Sequence, residues 1–297
     1  MRTRVLILLL LLVGRPTASP AADSGRLESL DSLRLPGLLP RPVEVWLPPG
    51  YDASSERYPV LYAQDGQNLF DPARSFSGVD WGLDEALAAG IQSGRLRPVI
   101  VVAVGNTAQR RREYTPRSLY DLATPAEQAE FCAQEGGPSV SDLYLEGLVG
   151  ELIPRVNRRY RTLGGPEQTF LLGSSRGALF SLEALGRHPE AFGGAACLST
   201  HWTLAGSHLE NWLAALLPPV GGQRIYFDRG DQTLDAGYGP GQARADSLLA
   251  ARGWSVPERR LSLFFPGHEH HERAWRQRVG PALEWLLGPP AAAAPEN

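Results

Sequence analysis

The chain has 297 residues, 43% of them hydrophobic and 21% charged, which is enough for one large domain with a sizeable core and too apolar for wholesale disorder. A formal net charge of −3 argues against a nucleic-acid binder or a protein held on an anionic membrane, since both present a basic face. All 29 basic residues are arginine, so no lysine is available as a Schiff base or general base.

Residues 1–21 read as a secretory signal peptide. Arg2 and Arg4 precede an apolar run over 5–13, and small residues follow around 18–22. The run is too short to span a bilayer comfortably. The expectation is an exported protein, periplasmic or extracellular, with no stable membrane insertion after cleavage. Residues 22–40 are polar with irregular leucines and are expected to wrap the surface as an N-terminal extension. From 41 to 288, strand and helix patterns alternate. Strands are predicted over 43–47, 58–63 and 98–104, with a short helix over 81–89 between the last two. Leu143, Leu145, Leu148, Val149, Leu152, Ile153 and Val156 recur at helical spacing, with Ser141 or Asp142 as the cap. Strands over 169–172, 194–198, 224–228 and 261–265 then alternate with helices over 178–188, 242–252 and 272–287. This order implies βαβ crossovers: an α/β fold with a mostly parallel central sheet and helices on both faces. The tail 289–297, rich in proline and alanine, is expected to be disordered. Cys132, in a predicted loop, and Cys197, in an apolar run, are read as free, and no C-x-x-C metal spacing occurs.

Gly173-Ser174-Ser175-Arg176-Gly177 has the form G-x-S-x-G, with a strand pattern before it and a helix pattern after. A serine hydroxyl is a weak nucleophile and needs a base, and a group to orient that base. A sharp strand-to-helix turn exposes it, and small residues two before and two after let the backbones pass. Ser175 is therefore the candidate nucleophile, and the N–H of Arg176 a candidate oxyanion donor at a helix N-terminus. Downstream lie His188, His201, His208, His268, His270 and His271. The last three follow the final predicted strand, where a parallel sheet delivers its loops to one edge. Three histidines within four loop residues suit a metal site poorly. Asp228, Asp231 and Asp235 are the candidate acids, and spacing alone does not choose between the last two. Gly66 and the N–H of Gln67, after an earlier strand, are candidates for the second oxyanion donor.

In order along the chain, VLYAQDGQNLFD, NTAQRRREYTPR, GSSRGALFSLEALGRHPEAFGGAACLSTHW, YFDRGDQTLDAGY and FPGHEHHERAWRQR resemble the putative-esterase (esterase D-like) family of α/β-hydrolases. That family includes S-formylglutathione hydrolases, feruloyl and siderophore esterases, and mycolyltransferases. The resemblance covers roughly residues 40–287. It implies Ser175 as nucleophile, His270 as base and Asp235 as acid, because TLDAGY resembles a TLD-x-x-Y form seen in close relatives. It implies Gln67 and Arg176 as oxyanion donors, and it puts Trp81, Arg112 and Tyr114 where such proteins line the acyl or alcohol pocket. Arg176 and Ala178 depart from the usual GSSMGG elbow, and an arginine there raises the question of an anionic substrate.

The implied activity is serine carboxylic-ester hydrolysis through an acyl-enzyme, acting on a small-molecule ester without cofactor or metal. Acyl transfer to a sugar or lipid alcohol, and a catalytically silent binding protein on the same scaffold, are the alternatives. Oligomeric state and the natural ester are not legible in the sequence.

Overall fold

In the computed structural model, residues 24–217 and 221–289 are described, and they form one eight-stranded sheet flanked by helices. The signal-peptide reading and nearly all of the predicted tail lie outside the described residues. In chain order the elements are β1 (Arg26–Leu33), β2 (Arg41–Leu47), β3 (Val60–Gln64), α1 (Leu83–Gln92), β4 (Ile100–Val104), α2 (Arg110–Tyr114), α3 (Arg117–Leu122), α4 (Pro125–Glu135), α5 (Ser141–Gly147), α6 (Ile153–Arg159), β5 (Thr169–Ser174), α7 (Arg176–Arg187), β6 (Gly194–Leu198), α8 (Trp202–Ala205), α9 (Leu209–Leu216), β7 (Arg224–Arg229), α10 (Gly239–Ala251), β8 (Arg260–Phe264) and α11 (Glu272–Leu287).

The strand order is β1-β2-β4-β3-β5-β6-β7-β8. From β4 to β8 every pairing is parallel, while β1 and β2 add an antiparallel edge. The inner strands are apolar on both faces because both are covered. Tyr62, Val102 and Leu171 point into one buried cluster, and Leu61, Val101 and Phe170 into the other. The chain leaves β3 for β4 on one side and returns to β5 on the other. The carboxyl ends of β3 and β5 therefore flank a topological switch point, where an open parallel sheet leaves a crevice.

Several elements differ from the sequence reading. The stretch expected to wrap the surface contributes β1, whose Leu30 and Leu33 are buried; a register shift between them breaks the alternation that would have marked a strand. Cys132 lies on α4 rather than in a loop, and both cysteines are free. Ser141 is the first residue of α5 instead of its cap, and its hydroxyl accepts the N–H of Arg117 at 2.7 Å. Between α5 and α6 the helix widens to a π-helical segment, Leu148–Leu152. Pro154, which lacks an N–H and clashes with the carbonyl four residues back, accounts for it. Among the described residues, no helix is long and apolar enough to cross a membrane.

Candidate active site

Among the described residues, four non-glycine residues hold positive φ: Asp65, Ser175, Ser199 and Thr233. They follow the ends of β3, β5, β6 and β7, so the backbone strain is concentrated at one edge of the sheet. Ser175, at φ 56° and ψ −122°, forms a sharp elbow into α7. A Cβ at residue 173 would sit 2.4 Å from the carbonyl oxygen of Gly177, so glycine is required there. The Ser175 N–H donates to the Leu198 carbonyl at 2.9 Å, which pins the elbow to β6. The N–H of Arg176 opens α7 and has no acceptor within the helix.

Beside the elbow, β3 runs into a tight 3₁₀ turn, Gly66–Asn68, closed by Asn68 N–H on the Asp65 carbonyl at 2.8 Å. The Gln67 N–H lies in the first turn and is not used within it. Gly66 presses on β4; a Cβ there would be 2.6 Å from the Ala103 carbonyl carbon. Arg110 grips the Asp65 carboxylate at 2.7 Å through both Nε and Nη2, and the Asp65 N–H donates to the Tyr114 hydroxyl at 3.2 Å. The Gln67 side chain accepts the Asn106 N–H at 3.1 Å. This loop is thus held at both ends before any ligand arrives.

Of the three candidate acids, Asp235 meets a histidine. Its turn, Thr233–Gly237, is entered through the strained Thr233 and swings the carboxyl inward to full burial. Asp235 Oδ1 lies 2.7 Å from His270 Nδ1. Oδ2 accepts the Gly230 N–H at 2.6 Å and the Ser199 hydroxyl at 2.7 Å, and Arg278 Nη1 is 3.4 Å away. Burial pushes this carboxyl up, but the hydrogen bonds from His270, Gly230 and Ser199 outweigh it and hold it below its ordinary range. Asp231 instead lies at the surface, accepts the Gly267 N–H at 2.7 Å, and ties the two loops together. Asp228, buried at the end of β7, accepts the Ser199 N–H at 3.2 Å and is pushed up to about 7, first by burial.

The remaining histidines have separate occupations. His271 caps α11 by accepting the Arg273 N–H at 3.1 Å, and the His268 carbonyl accepts the N–H groups of Asp231 and Gln232. His188 and His208 pair with Glu190 and Glu127. His201 meets the hydroxyl of Tyr238 through Nδ1. Burial, then Arg176, lowers His201 to about 4, so it is neutral at physiological pH.

Sequence reasoning passed over Tyr238, Ser199, Trp275 and Arg278. Tyr238 is buried, its hydroxyl meets His201 Nδ1, and its ring stands edge-on to His270 with centroids 5.5 Å apart. Trp275 packs edge-on against the other side of His270 at 5.0 Å and donates to Ser199 Oγ at 3.0 Å. Arg278 is fully buried and donates to Ser199 Oγ at 2.6 Å between the two carboxylates. The one signal available was the tyrosine three residues after Asp235.

The three pocket candidates each have contacts within the fold. Trp81 is buried under Trp275, with centroids 5.4 Å apart; Tyr114 stacks on Tyr144 and Phe180; Arg112 donates to the Pro138 carbonyl at 2.9 Å. A cavity of about 200 Å³ opens between α3, α4 and Arg176, with Leu119, Tyr120, Phe131 and Leu204 as its apolar wall. Arg176 does not offer a free cation there: it donates to Glu135 and to Thr115 Oγ1, each at 3.1 Å. Glu127 and Glu130 complete the rim.

The YbbA protein of Bacillus subtilis (strain 168), uncharacterized, is 26% identical over 254 residues, 82% of this chain and 91% of its own. An IroE-like serine hydrolase from Shewanella oneidensis superposes with TM-score 0.65 at 19% identity, over 88% of this chain and 79% of that one. A ferulic acid esterase superposes with TM-score 0.61 at 17% identity, over 89% and 98%. At these identities the two structures share the fold with this chain. The family model described as "Putative esterase" matches residues 39–285. With a mostly parallel sheet and a strained strand-to-helix turn at Ser175 on its carboxyl edge, the chain belongs to this esterase family and is an esterase of the α/β-hydrolase fold.

Proposed function

We propose that the protein hydrolyses small-molecule carboxylic esters through an acyl-enzyme on Ser175. The Ser175 oxygen bonds to the ester carbonyl carbon while its proton passes to His270. The carbonyl oxygen takes the negative charge and is received by the N–H groups of Gln67 and Arg176. Collapse breaks the bond to the alcohol oxygen, which takes the proton from His270. Water then adds by the same route and releases the acid. Asp235 holds His270 with the proton on Nδ1 and stabilises the imidazolium. The observation that carries this reading is the 2.7 Å contact between His270 Nδ1 and the ionised, buried Asp235. Because Arg176 is neutralised by Glu135, and Glu127 and Glu130 share the rim, the cavity favours a neutral or cationic ester group over an anionic one.

The test is Ser175→Ala on a p-nitrophenyl ester, together with labelling by a fluorophosphonate. Turnover should fall about a million-fold, as in other triads, and the label should vanish with the hydroxyl. A variant that keeps most of its turnover refutes the nucleophile.

A further inference from the structure

Resting on Asp235 and His270 as the acid and base that serve Ser175, we propose that Ser199 is a positioning residue for catalysis, whose hydroxyl proton is committed to one oxygen of Asp235 and so turns the other toward His270. Ser199 is the first residue after β6 and is fully buried. Its backbone is left-handed, at φ 45°, a conformation a serine adopts only when its surroundings hold it there. Asp228, at the end of the neighbouring strand β7, does so: its carbonyl accepts the Ser199 N–H at 2.9 Å and its Oδ1 lies 3.2 Å from the same nitrogen.

Counting protons gives the hydroxyl a direction. It has one proton and two lone pairs. Trp275 Nε1 approaches its oxygen at 3.0 Å and Arg278 Nη2 at 2.6 Å. An indole N–H and a guanidinium can only donate, so these two fill both lone pairs. The Ser199 proton has one direction left, and Asp235 Oδ2 lies there at 2.7 Å. A surface serine would rotate among several acceptors; this one is locked by donors from α11. Oδ2 also accepts the Gly230 N–H at 2.6 Å, with Arg278 Nη1 at 3.4 Å. Donors gathered on one oxygen stop the carboxylate from turning about its own bond and leave Oδ1 for His270 Nδ1, at 2.7 Å. The same hydrogen bond favours the ionised form of Asp235.

The charged and titratable groups around the Asp235–His270 pair are Arg278 from α11, Asp228 from β7, Tyr238 from the turn of Asp235 itself, and His201 across that phenol. A Ser199 variant adds or removes no charge among them. Ser199→Ala deletes the hydroxyl, and Ser199→Gly deletes it while suiting the left-handed backbone. On p-nitrophenyl butyrate, kcat should fall about 10- to 100-fold in both, as for the loss of one hydrogen bond to a charged group, with KM within about two-fold. Without this donor Asp235 is a stronger base, and the pair takes up its inactivating proton more readily. The acid limb of kcat/KM should therefore move to higher pH, by about half a pH unit or more. Because Ser199 acts through Asp235, the double variant Ser199→Ala/Asp235→Asn should be no slower than Asp235→Asn alone. Unchanged kcat, a pH profile parallel to wild type, or additive losses in the double variant overturns the proposal. If Ser199→Ala does not fold, the kcat and pH profile of Ser199→Gly decide it in the same way. Inactive Ser175→Ala beside fully active Ser199 variants refutes Ser199 alone; active Ser175→Ala refutes the nucleophile reading beneath it.

Discussion

Two imidazoles face the same tyrosine ring at the same separation, and their surroundings give them opposite chemistry. His270 presents Nδ1 to a buried carboxylate, which is itself held by a backbone N–H, a hydroxyl and a guanidinium. His201 presents Nδ1 to a neutral phenol and sits among arginines, which together with burial suppress its protonation. In the proposed mechanism, proximity to Ser175 is thus not what makes a base; the groups one layer behind the ring decide it. That layer is also what the experiments below remove, one part at a time.

The largest effect should come from the carboxylate itself. Asp235→Asn keeps the shape but offers an amide to Nδ1, which favours the wrong tautomer of His270; kcat should fall about 10,000-fold. Asp231→Asn should stay within a few-fold of wild type, because its side chain ties Gly267 and does not reach His270. Steady-state kinetics on one ester decide the matter, and collapse in the second variant with activity in the first reverses the assignment.

Arg278 is the next layer out. It is fully buried, with Asp235 at 3.4 Å and Asp228 at 3.7 Å. Arg278→Met leaves buried negative charge without its cation, so the fold should lose about 3–5 kcal/mol in urea unfolding. Removing a cation also raises the Asp235 pKa, so activity should begin to fall at higher pH on the acid side. At neutral pH kcat should drop about ten-fold. A pH profile of kcat/KM parallel to wild type would make Arg278 a purely structural residue.

On the opposite side of the elbow, Glu135→Gln frees Arg176 from its pairing beside the cavity. The ratio of kcat/KM for an anionic aryl ester, such as a hemisuccinate, over a neutral one of the same size should rise a few-fold. An unchanged ratio would mean the cavity does not hold the ester group.

The elbow was legible because its signal is local: two glycines, one serine, a strand before and a helix after. The central strands were legible because burial on both faces makes them uniformly apolar. The acid was not separable by spacing, since Asp231 and Asp235 share one loop and differ only through the left-handed turn at Thr233. Helices α2 and α3 are five and six residues long, too short for a helical period to register. Arg278 sits in mid-helix, where an arginine ordinarily faces water, and its burial follows from carboxylates 50 and 43 positions earlier. The partner of the Tyr238 hydroxyl is as distant: His201 lies beyond the end of another strand, and nothing within a few residues of Tyr238 announces it.

A last effect, on stability alone and only across a pH range, concerns Asp228, the carboxylate that shares Arg278 without touching a histidine. The two carboxylates beside one guanidinium titrate unequally: hydrogen bonds hold Asp235 below its ordinary value, while burial first, and then the charge of Asp235, push Asp228 up to about 7. An unfolded aspartate titrates near 3.8. Between those two values the folded protein keeps a proton that the unfolded chain has lost. This contribution to stability is therefore complete below about pH 4 and is lost as pH rises toward 7, by at most about 1.4 kcal/mol per pH unit. Asp228→Asn carries no such proton, and its amide oxygen can still accept the Ser199 N–H. Its stability relative to wild type should climb from pH 4 to pH 7 and level off above. Urea unfolding across that range measures it, and a difference that does not change with pH would place that proton elsewhere than on Asp228.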